Sequence, residues 1–120
     1  MSDAVIITKT EFYKVKPNTP ITLSITIGDA QVGGTAVTWK GGLVGSGGNV
    51  SNLPIGASGE DLRDTILDCT TTVMDVNPDT NNTDVTYTLK GGQADQRFPY
   101  SAEVSVAGGR AIYAVTFRLS

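Results

Sequence analysis

The chain has 120 residues, the size of one domain with a real core, because folding at this length buries roughly two thirds of the unfolded surface. Its net charge of −3 and pI of about 4.7 exclude nucleic acid as a partner, since phosphate binding draws on clustered Lys and Arg and the nine basic residues here are scattered singly. The lack of any His excludes Ser/His/Asp and Cys/His triads and His-ligated zinc or iron, and no apolar run approaches the ~18 residues of a membrane span.

Fourteen Gly, with abundant Thr and Val, favour strands joined by tight turns. Residues 4–15 read as a first strand. Val5 and Ile7 set one phase and Phe12 interrupts it, so a bulge or sheet switch is expected near 8–11. The start, SDAVIITKTEFYKVK after Met1, has no basic segment and only a four-residue apolar run, so no cleaved signal is expected. The cytoplasm is the default compartment; export without a cleaved signal or a trimmed chain gives the same pattern. A rigid turn follows at Lys16-Pro17-Asn18-Thr19-Pro20. Ile21, Leu23, Ile25 and Ile27 then alternate with Thr22, Ser24 and Thr26, predicting a central strand with one wet face that ends at Gly28-Asp29.

Residues 31–39 and 43–45 predict a small hairpin turning at Lys40-Gly41-Gly42, with Trp39 as a core residue or one at a loop mouth. From 46 to 59, SGGNVSNLPIGASG, there is no periodicity and a loop is expected. A short helical turn is expected near 58–66, where Ser58 and Asp61 resemble a capping box.

Residues 65–92 predict a long acidic hairpin. Leu67, Cys69, Thr71 and Val73 face one way on its first arm, and Val85, Tyr87 and Leu89 do so on its second, across a turn at Asn77-Pro78-Asp79-Thr80. Cys69, unpaired and at an inward position, reads as a small buried hydrophobe. A polar connection at 91–99 and a last hairpin, 100–106 with 111–119 turning at Ala107-Gly108-Gly109-Arg110, complete the chain.

Seven acids between Glu60 and Asp84, opposed only by Arg63, give that stretch −6 and leave +3 for the rest. Within it, Asp75, Asn77, Asp79 and Asn81 alternate as Ca²⁺ ligands do in an EF-hand loop, with Asp84 beyond them. Thr80 replaces the Gly of that pattern and Thr86 stands where its bidentate Glu belongs. The first reading of this stretch is therefore an Asx-rich turn without an ion, and Ca²⁺ is the alternative. Asp and Glu at exposed turn and outward strand positions make paired-carboxylate hydrolysis a poor fit, so no enzyme is expected.

The strands and turns together predict an all-β fold: one antiparallel β-sandwich of about seven or eight strands over residues 1–120, with Greek-key connections. The outline is similar to immunoglobulin-type and C2-type sandwiches, a likeness of architecture only. The expected function is a non-catalytic interaction or structural module, with a protein partner or homo-oligomer engaged through loops or strand edges. The alternative is a small ligand-binding domain, for carbohydrate or a Ca²⁺-dependent ligand. It would use the acidic turn and the 46–59 loop, with Trp39, Asn49, Asn52, Asp61 and Asp64 as candidate contacts.

Overall fold

A computed structural model describes residues 4–28, 31–56, 59–104 and 109–120. Nine strands appear among them: β1 Ala4–Tyr13, β2 Ile21–Ile27, β3 Val32–Trp39, β4 Gly42–Gly47, β5 Val50–Ile55, β6 Thr65–Met74, β7 Asn82–Lys90, β8 Gln96–Glu103 and β9 Arg110–Leu119. A single helical turn, α1 Gly59–Leu62, lies between β5 and β6. Ser58, the expected cap of that turn, is outside the described residues. The strands form a five-stranded sheet in the order β1-β9-β6-β3-β4 and a four-stranded sheet in the order β5-β2-β7-β8. No helix among the described residues is long and apolar enough to cross a membrane.

The two sheets close on one core. The five-stranded sheet turns Leu67, Cys69 and Val73 of β6 inward, with Tyr113, Val115 and Phe117 of β9. The four-stranded sheet answers with Ile21, Leu23 and Ile25 of β2 and Val85, Tyr87 and Leu89 of β7. Each fully buried side chain of this size contributes about 1.5–3 kcal/mol. Tyr87 meets Phe117 edge-on at 5.9 Å, and Phe98 does so at 5.1 Å. Such tilted contacts suit the opposite charges of ring face and ring edge.

The hairpin turning at Lys40-Gly41 forms as expected. Both residues have positive φ, 52° and 77°, which the tight two-residue turns matching strand twist require. The 65–92 hairpin does not form. β6 bonds to β3 and β9 while β7 bonds to β2 and β8, so residues 75–81 arch from one sheet to the other. The expected 100–119 hairpin is likewise an inter-sheet crossing, since β8 lies in one sheet and β9 in the other. Ala107 and Gly108 of its expected turn are outside the described residues. The physical reason is common to both: alternation records which face of a strand is buried and carries no record of which strand bonds its edge.

Three further expectations change. β1 runs in unbroken parallel register with β9 from Ala4↔Arg110 to Tyr13↔Leu119, so there is no bulge at 8–11. Val5, Ile7, Lys9, Glu11 and Tyr13 keep one phase throughout, and Phe12 simply faces out. The 46–59 loop is mostly strand, because β4 reaches Gly47 and β5 pairs with β2 across an irregularity between Leu23 and Ile25. The polar connection after β7 shortens to 91–95, and β8 returns beside β7 as a second hairpin.

Gly91 makes this return possible. Its φ is +96°, and a Cβ there would stand 2.0 Å from the carbonyl oxygen of Pro20. Gly34, on the outer face of β3, has nothing within 4 Å of the corresponding position. Gly91→Ala is therefore expected to destabilise by at least about 2 kcal/mol, whereas Gly34→Ala stabilises by up to ~1 kcal/mol through backbone entropy, both read from urea unfolding.

Candidate functional site

The acidic turn is organised by Gln31, which the sequence did not single out. Its Nε2–H group donates to Asp75 Oδ1 at 2.9 Å and to the carbonyls of Thr80 and Asn82 at 3.4 and 3.0 Å. Its Oε1 accepts from the backbone N–H groups of Val76 and Asn77 at 2.7 and 2.9 Å. One amide thus satisfies both ends of an arch that has no ladder of its own. Asp75 is turned inward with only 4% of its surface exposed, and its Oδ2 has no hydrogen-bond partner among the described residues. Asn77 Oδ1 accepts from Asp79 N–H at 2.9 Å, an Asx turn of the kind expected. Asn81 contributes its carbonyl to Val104 N–H, and Asp84 sits on the outer face of β7, where its Oδ1 accepts from Asn82 Nδ2 at 3.4 Å. Asp75 thus points under the arch, Asn77 and Asp79 shape the turn above it, and Asp84 lies on a sheet face. Among the described residues, no three Asp, Glu or Cys side chains gather closely enough to share an ion.

The other candidates also have local backbone roles. Asn49 Oδ1 accepts from Ile27 N–H at 2.9 Å at the end of β2. Asn52 has a φ of 50°, and its N–H donates to Ser24 Oγ at 2.9 Å at the irregularity between β2 and β5. Asp64 has a φ of 62° and donates its N–H to Leu119 O at 2.8 Å, while Asp61 is exposed on α1. Trp39 is half-buried; its indole N–H donates to Thr65 Oγ1 at 2.9 Å, and Lys40 Nζ lies 4.7 Å from its ring centre. Burial pushes the Cys69 thiol up to about 12, with the Asp68 carboxylate adding to the rise, so it is no nucleophile at neutral pH.

The surface with a distinct chemistry is the outer face of the five-stranded sheet. Six of the seven large hydrophobic side chains exposed among the described residues stand on it: Phe12 (68%), Ile6 (67%), Leu43 (64%), Val32 (54%), Met74 (45%) and Ile66 (43%). The pairing register arranges them. Ile6 lies beside Ile112, Met74 beside Val32, and Phe12 and Ile66 flank Arg118. The rows between carry mostly small side chains, Thr8-Ala114-Thr70-Ala36-Ser46 and Thr10-Thr116-Asp68-Thr38, the second row ending at the large Leu43. Asp68, Arg110 and Arg118 are the charges in this grid, and Asp68 Oδ1 accepts from Thr116 Oγ1 at 2.9 Å. The outer face of the four-stranded sheet is polar by contrast, with Thr22, Ser24, Thr26, Asp84, Thr86 and Thr88 at its centre, and none of the large exposed hydrophobics lies on it. A groove of about 440 Å³ beside Phe12, bounded by Lys14, Gln93 and Gln96, carries the apolar corner round the edge of β1.

The strand edges are guarded. β5 and β8 are edge strands and hold Pro54 and Pro99, residues that cannot donate to a further ladder. β4 is short, contains Gly42, Gly45 and Gly47, and pairs irregularly at Val37/Thr38. β1 directs Lys9 and Glu11 along its inner phase, and Glu11 accepts a hydrogen bond from Tyr100 OH across the gap to β8. Each device opposes the addition of another strand. Signals for the outer face were present in the sequence as Ile6, Phe12, Ile66 and Met74, apolar residues out of phase with their strands. Compared with models of protein families, with curated proteins and with solved structures, the chain matches none.

Gln31→Ala leaves two backbone N–H groups and the Asp75 carboxylate without their partner. It is expected to cost about 2–4 kcal/mol and to speed amide exchange at Val76 and Asn77, measurable by urea unfolding and hydrogen exchange. Burial raises both Cys69, from 9.0, and Tyr87, from 10.0. Groups raised in the folded state hold their proton after the unfolded chain has lost it, so the stability they contribute is complete below about pH 9 and falls as pH rises towards 12. Denaturant midpoints measured against pH should stay flat through neutrality and drop across that window.

Proposed function

We propose that this chain is a non-catalytic interaction module that docks onto another protein surface through the outer face of its five-stranded sheet. The observation that carries the reading is the asymmetry of the two outer faces. Among the described residues one sheet turns six large apolar side chains to solvent and the other none, although both bury such residues on their inner sides. Exposed apolar area gathered on one face is the mark of a contact surface. The chemistry of the residues agrees: there is no His, and the one thiol is buried and protonated at neutral pH. The guarded edges favour docking by the face over addition of a strand.

Side chains kept for a partner are dispensable to the fold. Ile6→Ser, Phe12→Ser and Leu43→Ser should each change unfolding free energy by less than about 0.5 kcal/mol, against ~2–5 kcal/mol for Leu67→Ala in the core. A photo-crosslinker at position 36, in the middle of the face, should capture protein in cells expressing the chain, and one at position 26, on the opposite face, should not. Capture from position 26 alone, or face variants as damaging as the core variant, would sink the reading.

A further inference from the structure

We propose that Phe12 is the platform of a saccharide-binding site at the corner where β1 ends, taking a neutral oligosaccharide of two or more units; the site does not depend on the docking reading above. Phe12 is 68% exposed, and a hollow lies on each side of it. The first, the groove of about 440 Å³, runs to Lys14, Gln93 and Gln96 and has the size of a ligand site. The second, of about 260 Å³, runs to Asp64, Ile66 and Arg118. Among the described residues, the side chains of Lys14, Gln93, Gln96, Asp64 and Arg118 form no hydrogen bond or ion pair with the rest of the fold. Five polar groups thus frame one exposed ring.

The rim is fixed in place. Gly92 N–H donates to Tyr13 OH and Gln93 N–H to Lys14 O, both at 2.9 Å, which folds the β7–β8 turn back against the end of β1. A Cβ on Gly92 would stand 2.4 Å from Lys14 O and 2.6 Å from the Tyr13 ring, so this approach requires glycine. The groove's two walls, one from each sheet, are therefore spaced before any ligand arrives, and little is lost in ordering them.

Donor and acceptor chemistry selects the ligand class. Lys14 and Arg118 only donate, Asp64 only accepts, and the carboxamides of Gln93 and Gln96 do both. An anion would be repelled by Asp64, a cation by Lys14 and Arg118, and a wholly apolar molecule would strip water from all five without replacing it. A hydroxyl donates and accepts at once, so a rim of hydroxyls satisfies the mixed set. The negative face of the Phe12 ring attracts polarised C–H groups, which line one side of a pyranose. Saccharides carry both features in one molecule. A peptide also donates and accepts, but it joins a sandwich along a strand edge, and the charges of β1 oppose that. Hollows on both sides of the ring call for a chain, with one unit over Phe12 and its neighbours beside it.

The fluorescently labelled full chain, applied to an array of neutral and charged glycans, should bind neutral oligosaccharides. Calorimetric titration of the best-bound one should give a Kd between about 10 µM and 1 mM, with its monosaccharide at least about tenfold weaker. Phe12→Ala should weaken binding about tenfold with circular dichroism and Tm unchanged, and Phe12→Tyr should retain it. If Phe12→Ala folds poorly, Gln93→Ala combined with Gln96→Ala tests the same groove and should weaken binding by a similar factor. Leu43→Ser, at the far edge of the same sheet, should leave binding unchanged. No glycan bound on the array, binding of charged glycans only, or a monosaccharide bound as tightly as its chain overturns the proposal. So does binding indifferent to Phe12→Ala and to the Gln pair, or lost equally with Leu43→Ser. Protein capture from position 36 is read separately, so the docking reading stands or falls on its own.

Discussion

The amide of Gln31 holds the junction on which the architecture turns. β6 and β7 are consecutive in the chain yet belong to opposite sheets, and the seven residues between them cross the core's open end without a ladder to satisfy their backbone. Buried backbone groups without partners are costly, so an arch of this kind needs an internal substitute. Gln31 supplies it from the segment just before β3, giving two donors' worth of contacts to Asp75, Thr80 and Asn82 and accepting from Val76 and Asn77. With that junction closed, β6 is free to become the middle strand of five, between β9 and β3.

Hydroxyl groups then tie the two sheets to one another at defined points. Thr71 of β6 bonds the Tyr87 hydroxyl of β7 across the core at 2.7 Å, and is itself held by its neighbour in the same sheet, Thr35 of β3, at 3.0 Å. Thr83 of β7 bonds the Tyr113 hydroxyl of β9 at 2.6 Å. Tyr13 OH accepts from Gly92 N–H at 2.9 Å, joining the end of β1 to the β7–β8 turn. Apolar packing is non-directional, whereas a satisfied buried polar network has one geometry, so these contacts set how the sheets sit over the core.

The same division of strands explains the difference between the outer faces. Five strands make the broader face, and four supply its covering layer, whose outer side chains at the centre are Thr, Ser and Asp with Pro54 and Pro99 on the edge strands. Proline in β5 and β8, irregularity in β4 and inward charge in β1 turn association away from the edges.

Composition and alternation alone determined that the chain is an all-β sandwich, that Ile21, Leu23, Ile25, Cys69, Val85 and Tyr87 face inward, and that Lys40-Gly41 turns a hairpin, because these follow from side-chain period and local φ preference. The Asx turn at Asn77 and Asp79 was legible for the same local reason. Partnership was not: a strand's sequence states which of its faces is dry and is silent on which strand bonds its edge, so β6 with β7 and β8 with β9 looked like hairpins although each pair is split between the two sheets. Much of the loop read into 46–59 was the end of β4 and the whole of β5, whose Pro and Asn suit an edge strand and hide its period. The apolar outer face was written only in off-phase residues, each unremarkable alone. Ile6, Ile112, Met74 and Val32 come from four strands, and hydrogen bonding between strands as distant in sequence as β1 and β9 gathers them onto one surface, something only tertiary structure decides.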